Sequence, residues 1–150
     1  MHGQLVFPLR AHAAAEEFLG LEREFPGRFC YAGLLSRDRL PEVLDAAAVG
    51  LIPDVASRAL GQSSMKTYDY CSRGVPVVAT AGHLEHSSDV PPHTYVVDGA
   101  DAMVQALQAA ADEPSGWAED RVAWAAARTW DRRTDAWLDA AAGRLVTAQS

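Results

Sequence analysis

Lysine occurs once in this chain: of thirteen basic residues twelve are arginine, and the exception is Lys66. Basic residues are scarce as a class, thirteen against twenty acidic ones, for a formal charge of −7. That balance argues against a nucleic-acid binder, whose affinity comes from clustered Lys and Arg meeting phosphates. Cysteine occurs only as Cys30 and Cys71, too few and too far apart for a disulfide framework or a cysteine-based zinc site, so reduced, buried thiols in a cytoplasmic protein are expected. No apolar run approaches the roughly 18 residues of a membrane span. The N-terminus "MHGQLVFPLR" lacks the charged region and the length of a signal peptide. Any membrane contact is therefore expected to be peripheral. No G-x-G-x-x-G follows the first apolar run, which argues against a dinucleotide-dependent oxidoreductase, and no G-x-S-x-G marks a serine hydrolase.

What is present is a globular composition, 49% hydrophobic and 22% charged, in a chain of one-domain length. Short apolar runs rich in β-branched residues alternate with segments of helical period. Strands are expected at Gln4–Leu9, Arg28–Leu35, Val49–Pro53, Val75–Thr80 and Thr94–Gly99. Helices are expected at Ala11–Phe25, Arg39–Ala47 and Met65–Arg73, with Gly74 as the C-terminal stop of the last. Strands that are apolar on both sides and separated by helices predict a parallel sheet covered on both faces, a doubly wound Rossmann-like α/β domain of about five strands. The last fifty residues read as almost wholly helical. Ala100–Glu113 places Met103, Val104, Leu107 and Ala110 on one face, and Trp117, Trp124, Trp130 and Trp137 recur at sevens and sixes, so that most fall near one stripe of a helix or a helix pair, expected to pack on the sheet.

In an open parallel sheet, ligands bind beyond the carboxyl ends of the strands, where loops enter helix N-termini. The stretch "SSMKTYDYCSRGVPVVAT" (Ser63–Thr80) is the most informative there. Ser64 can cap the helix that opens at Met65, leaving first-turn N–H groups at the positive end of the helix dipole as an anion site, with Lys66 adding a full charge. Asp69 follows three residues on, on the same helix face, and a carboxylate can accept both hydroxyls of a ribose diol. Two readings of the pair remain open: a nucleotide diphosphate site, or an ordinary i,i+3 surface ion pair. A compact ammonium in a chain otherwise written with Arg suits one crowded phosphate oxygen better than a planar fork does. His83, His86 and His93 share one loop, without the spacing or third ligand of a metal site, and are expected in solvent.

At this stretch the sequence resembles the C-terminal, donor-binding domain of nucleotide-sugar glycosyltransferases of the GT-B fold, of the group 1-like kind found in bacterial polysaccharide or glycolipid synthesis. The resemblance is carried by Pro53, Lys66, Asp69, Tyr70, Gly74, Pro76, Val77, Val78 and Ala79, and by the closing "RTWDRRTDAWLDAA". The acidic position is Asp where that family usually has Glu. The resemblance implies a donor nucleotide-sugar-binding domain over residues 1–150, incomplete at its N-terminus and lacking the acceptor domain, hence half of a GT-B architecture. It implies that Asp69 holds the donor ribose and Lys66 the diphosphate, with Ser64 and Met65 at the helix N-terminus and the backbone of Gly33 and Leu34 flanking the base. The co-substrate would be a nucleotide-diphosphate sugar and the acceptor a saccharide or lipid-linked sugar, with no metal or other cofactor and no nucleic-acid partner. Transfer of hexosyltransferase type would require the N-terminal half, which would also make any membrane contact, and the chain alone would be inactive. The alternative is a non-catalytic nucleotide-binding or protein-interaction module derived from such a domain.

Overall fold

The computed structural model describes residues 5–6, 12–33, 35–53, 65–81 and 90–147. The chain forms two compact units, Met1–Val43 and Leu44–Ser150.

The first unit is a small β-α-β arrangement. Strand β1 (Leu5–Val6) pairs in parallel with β2 (Phe29–Cys30), Leu5 opposite Phe29 and Val6 opposite Cys30, and helix α1 (His12–Glu24) connects them. Gly27, at φ +75°, lies in the turn between α1 and β2, a left-handed conformation that costs an L-residue steric strain and glycine little. Phe25 and Phe29 bracket that turn with their rings 6.0 Å apart. Helix α2 (Leu40–Asp45) carries the chain across the division at residues 43 and 44.

The second unit holds β3 (Gly50–Ile52), α3 (Met65–Ser72), β4 (Val77–Thr80), β5 (Tyr95–Val97), α4 (Ala100–Ala111), α5 (Gly116–Ala126) and α6 (Trp130–Thr147). The strands form an open, all-parallel sheet in the order β3-β4-β5, with Leu51 opposite Val78 and Val78 opposite Tyr95. Side chains alternate across the pleat, and both faces are covered. Ile52, Cys71, Val77, Ala79 and Trp124 form one core cluster, so α3 and α5 cover that face. Val78, Ala106 and Ala110 form the other, joined by Tyr95, Val97, Met103 and Leu107, so α4 covers the opposite face. The expected α/β class with a parallel sheet is thus present, as three strands here and a separate parallel pair in the first unit.

Two glycines fix how α3 meets the sheet. Gly74 takes φ +71° and closes α3 with a Schellman pattern, its N–H donating to the Cys71 carbonyl and that of Val75 to the Tyr70 carbonyl, each at 3.0 Å. Gly50 lies under the Tyr70 ring: a Cβ there would come within 2.5 Å of Tyr70 Cγ.

The helical C-terminal segment is present, but its faces differ from the expectation. On α4 the covered set is Met103, Ala106, Leu107 and Ala110, while Val104 is 55% exposed. Positions 103, 106, 107 and 110 share one face, and Val104 is turned about 100° from Met103. The tryptophans do not form one core stripe. Trp124 is buried, Trp117 half-buried, and Trp130 and Trp137 are each 70% exposed, because residues 127–129 break the run into two helices and the stripe does not continue from α5 into α6.

Candidate functional site

Helix α3 leads through Gly74 directly into β4, so its C-terminus stands at the amino edge of the sheet. Its N-terminus therefore stands at the carboxyl edge, the side on which β3 ends at Ile52 and β4 at Thr80. This orientation follows from the short connection and the packing of α3 on both strands. It turns the N–H groups of the first helical turn toward the edge where parallel sheets accept ligands.

Along α3 the side chains sort by face. Thr67 and Cys71 are buried, Tyr68, Asp69 and Tyr70 half-buried, and Met65 and Lys66 exposed. Lys66 and Asp69 thus stand on the helix three residues apart, the ammonium in the first turn. Of the other expected site residues, Gly33 lies in the first unit at φ +65°, while Ser64 and Leu34 lie outside the described residues. So do His83 and His86 and most of the two loops, residues 54–64 and 82–89, that follow β3 and β4.

The middle of α3 is held from the side. Tyr68 stacks on Trp124 of α5, ring centroids 5.3 Å apart and planes 18° from parallel. The guanidinium of Arg133, from α6, lies 4.9 Å from the Tyr68 centroid, and Arg133 Nη2 donates to the Tyr68 hydroxyl. Arg128 lies 4.4 Å over the Trp124 ring and donates to the Trp124 carbonyl at 3.1 Å. Each of the two stacked rings therefore carries a guanidinium, the cation–π arrangement in which arginine combines stacking with hydrogen bonding.

The densest polar chemistry sits at the other edge. Arg121 of α5, fully buried, donates to the Gly74 carbonyl from Nε and Nη2 at 3.2 and 3.0 Å and pairs with the Glu113 carboxylate. Asp45 accepts from Arg73. The hydrogen bond from Arg73, reinforced by its charge, holds the Asp45 carboxyl below its ordinary range. His93, just before β5, stacks on Trp117 with centroids 4.3 Å apart and planes 5° from parallel, and its Nε2 lies 2.7 Å from Asp120 Oδ2. The expectation of a solvated loop histidine is corrected for His93, whose ring is held between α5 partners. These groups surround the start of β4 and β5, and an eight-residue helix spans about 12 Å, so they brace the amino edge, away from the first turn of α3. Burial pushes the Cys71 thiol up to about 12, against the opposing charge of Arg121, which makes it a core residue without thiolate chemistry near neutral pH.

Sequence reading missed Arg121 and the Tyr68 stack. The signal for Arg121 was there: Trp117, Arg121, Trp124 and Arg128 recur at i, i+4, i+7 and i+11, so a cation falls on an aromatic helix face and needs a buried acceptor. Among the described residues no group of three or more His, Cys, Asp or Glu side chains could hold a metal ion, and no helix is long and apolar enough to cross a membrane. No family model matches the chain, and neither a curated protein nor a solved structure matches it.

Proposed function

We propose that this chain is the donor-binding half of a cytoplasmic GT-B glycosyltransferase, a Rossmann-like domain that takes a nucleotide-diphosphate sugar for transfer to a saccharide or lipid-linked acceptor. The observation that carries the reading is the spacing of Lys66 and Asp69, three residues apart on a helix whose N-terminus stands at the carboxyl edge of a parallel sheet. In this reading the exposed ammonium of Lys66 and the first-turn N–H groups hold the diphosphate, and Asp69 accepts from the ribose hydroxyls. Met65 opens the helix beside Lys66. Departure of the diphosphate builds negative charge, which a fixed cation and a helix N-terminus stabilise without a metal. In an enzyme of this kind the acceptor and the group that activates it belong to a second domain, and transfer requires donor and acceptor to be held together.

The exposed Trp130, Trp137 and Leu138 on α6 favour one second reading, a non-catalytic module that binds nucleotide and docks another protein. Titration of the chain with UDP, GDP, dTDP and ADP, followed by ligand-observed NMR, tests both. One diphosphate is expected to bind best, with Lys66→Ala and Asp69→Ala each weakening it. Absence of binding, or parent-like binding by both variants, removes the nucleotide site from either reading.

A further inference from the structure

We infer that Arg133 is a positioning residue for the Lys66 and Asp69 helix, acting through Tyr68, so that the placement of α6 is coupled to diphosphate binding on α3. The inference rests on the reading of Lys66 and Asp69 as the diphosphate-sugar site. Tyr68 lies between those two residues in sequence and is turned about 200° from Lys66 around the helix, toward α5 and α6. Its ring is stacked on Trp124, and both its face and its hydroxyl are engaged by Arg133. A rotation or slide of α3 that moved Lys66 would have to break that stack.

Residues 130–140 of α6 are all exposed, so over that stretch the helix is held through contacts such as this one rather than by a buried face. Arg128 lies within the break at residues 127–129, over Trp124, and Arg133 lies beyond it in the first turn of α6, over Tyr68. A shift of α6 about that break is transmitted to Tyr68, and ordering of α3 by a bound diphosphate is transmitted back to α6. The coupling is necessarily reciprocal. Arginine suits this role because a planar guanidinium stacks on the ring and donates to its hydroxyl together, which an ammonium does not do.

The test uses the full chain with Trp117, Trp130 and Trp137 replaced by Phe, so that emission reports Trp124. UDP, GDP, dTDP and ADP are titrated, and binding is followed in parallel by ligand-observed NMR. The best diphosphate is expected to shift Trp124 emission with the same Kd that NMR gives. Arg133→Ala is expected to raise that Kd by about two- to fivefold, the scale of an exposed cation–π contact, and the near-isosteric Tyr68→Phe, which keeps the ring and loses only the hydroxyl's hydrogen bond, by a similar factor. Arg133→Lys should behave as Arg133→Ala. A purely packing role would lower the urea midpoint while leaving Kd unchanged and Trp124 emission blind to the ligand, and that result overturns the inference. If Lys66→Ala weakens binding while Arg133→Ala and Tyr68→Phe do not, the inference falls and the site reading stands. If no diphosphate binds, or Lys66→Ala binds like the parent, the site reading falls and takes the inference with it.

Discussion

The guanidinium of Arg121 is fully buried and paired with the Glu113 carboxylate, with two of its N–H groups on the Gly74 carbonyl. One side chain thus joins α5, the chain after α4 and the turn between α3 and β4. A buried charge that loses its partner is left uncompensated, so Glu113→Ala is expected to cost about 3–5 kcal/mol in urea unfolding. The double variant Arg121→Met, Glu113→Leu should recover part of that loss, the remainder being the unpaired Gly74 carbonyl, about 1–3 kcal/mol. A double variant as unstable as the sum of the two singles would show that the pair does not act as a unit.

Gly50→Ala is expected to destabilise by about 1–3 kcal/mol, because the added methyl meets the Tyr70 ring in a packed core. Combining it with Tyr70→Leu should cost less than the sum of the separate changes, since the ring that causes the clash is gone. Chemical denaturation of the four proteins reads the coupling directly, and additivity would contradict the contact.

Cys71 ties stability to alkaline pH. Its thiol titrates at an ordinary value of 9.0 when exposed and near 12 in the fold, raised by burial. The unfolded chain therefore releases this proton over a range in which the folded chain keeps it. The contribution is complete below pH 9 and falls at about 1.4 kcal/mol per pH unit until pH 12. Cys71→Ala should flatten that part of the stability curve relative to the parent. In a Cys30→Ser chain, iodoacetamide at pH 8 should label Cys71 only after unfolding, and labelling of the native protein at a free-thiol rate would be decisive against its burial.

The four tryptophans should separate by cost. Trp124→Ala removes a buried ring and is expected to lose about 3–5 kcal/mol, whereas Trp130→Ser and Trp137→Ser, at exposed positions, should stay within about 0.5 kcal/mol. Acrylamide quenching of single-tryptophan chains should rank Trp130 and Trp137 as the accessible pair. A large loss from either serine variant would show that α6 has a covered face.

Much of the architecture was legible because it follows from short-range rules. Val77, Val78 and Ala79 read as a two-face-buried strand and are one, and Gly74 read as a helix stop and takes the left-handed turn. The tryptophan stripe was misread because, with a helix pair open as well as one helix, nothing in "AARTW" tells how far the second helix turns from the first, and Trp130 and Trp137 end up exposed. The cue to the break itself was Thr129, whose hydroxyl accepts from the Arg132 N–H at 3.4 Å and opens a new helix. His93 was misjudged because its partners, Trp117 and Asp120, stand 24 and 27 residues away, and local sequence carries no trace of such a pairing. The Lys66 and Asp69 spacing was visible at once, and the alternation of strand and helix already placed that helix N-terminus at the carboxyl edge of a parallel sheet, whereas the side-on hold of Tyr68 by Trp124 and Arg133 joins residues more than fifty apart.

The uniform greasiness of β4 leaves one matter to its neighbours. With Val77, Val78 and Ala79 all apolar, sliding that strand by a single position would exchange one buried methyl set for another at little hydrophobic penalty, where an alternating strand would be thrown inside out. Alignment must then be enforced by shape rather than by polarity. Gly50 supplies it: it sits opposite Val77 in the ladder, receives the Tyr70 ring where no side chain could stand, and donates its N–H to Pro76 at 2.8 Å. The missing side chain at residue 50 thus works as a keyway, and the strand pairing of the sheet is cut to fit it.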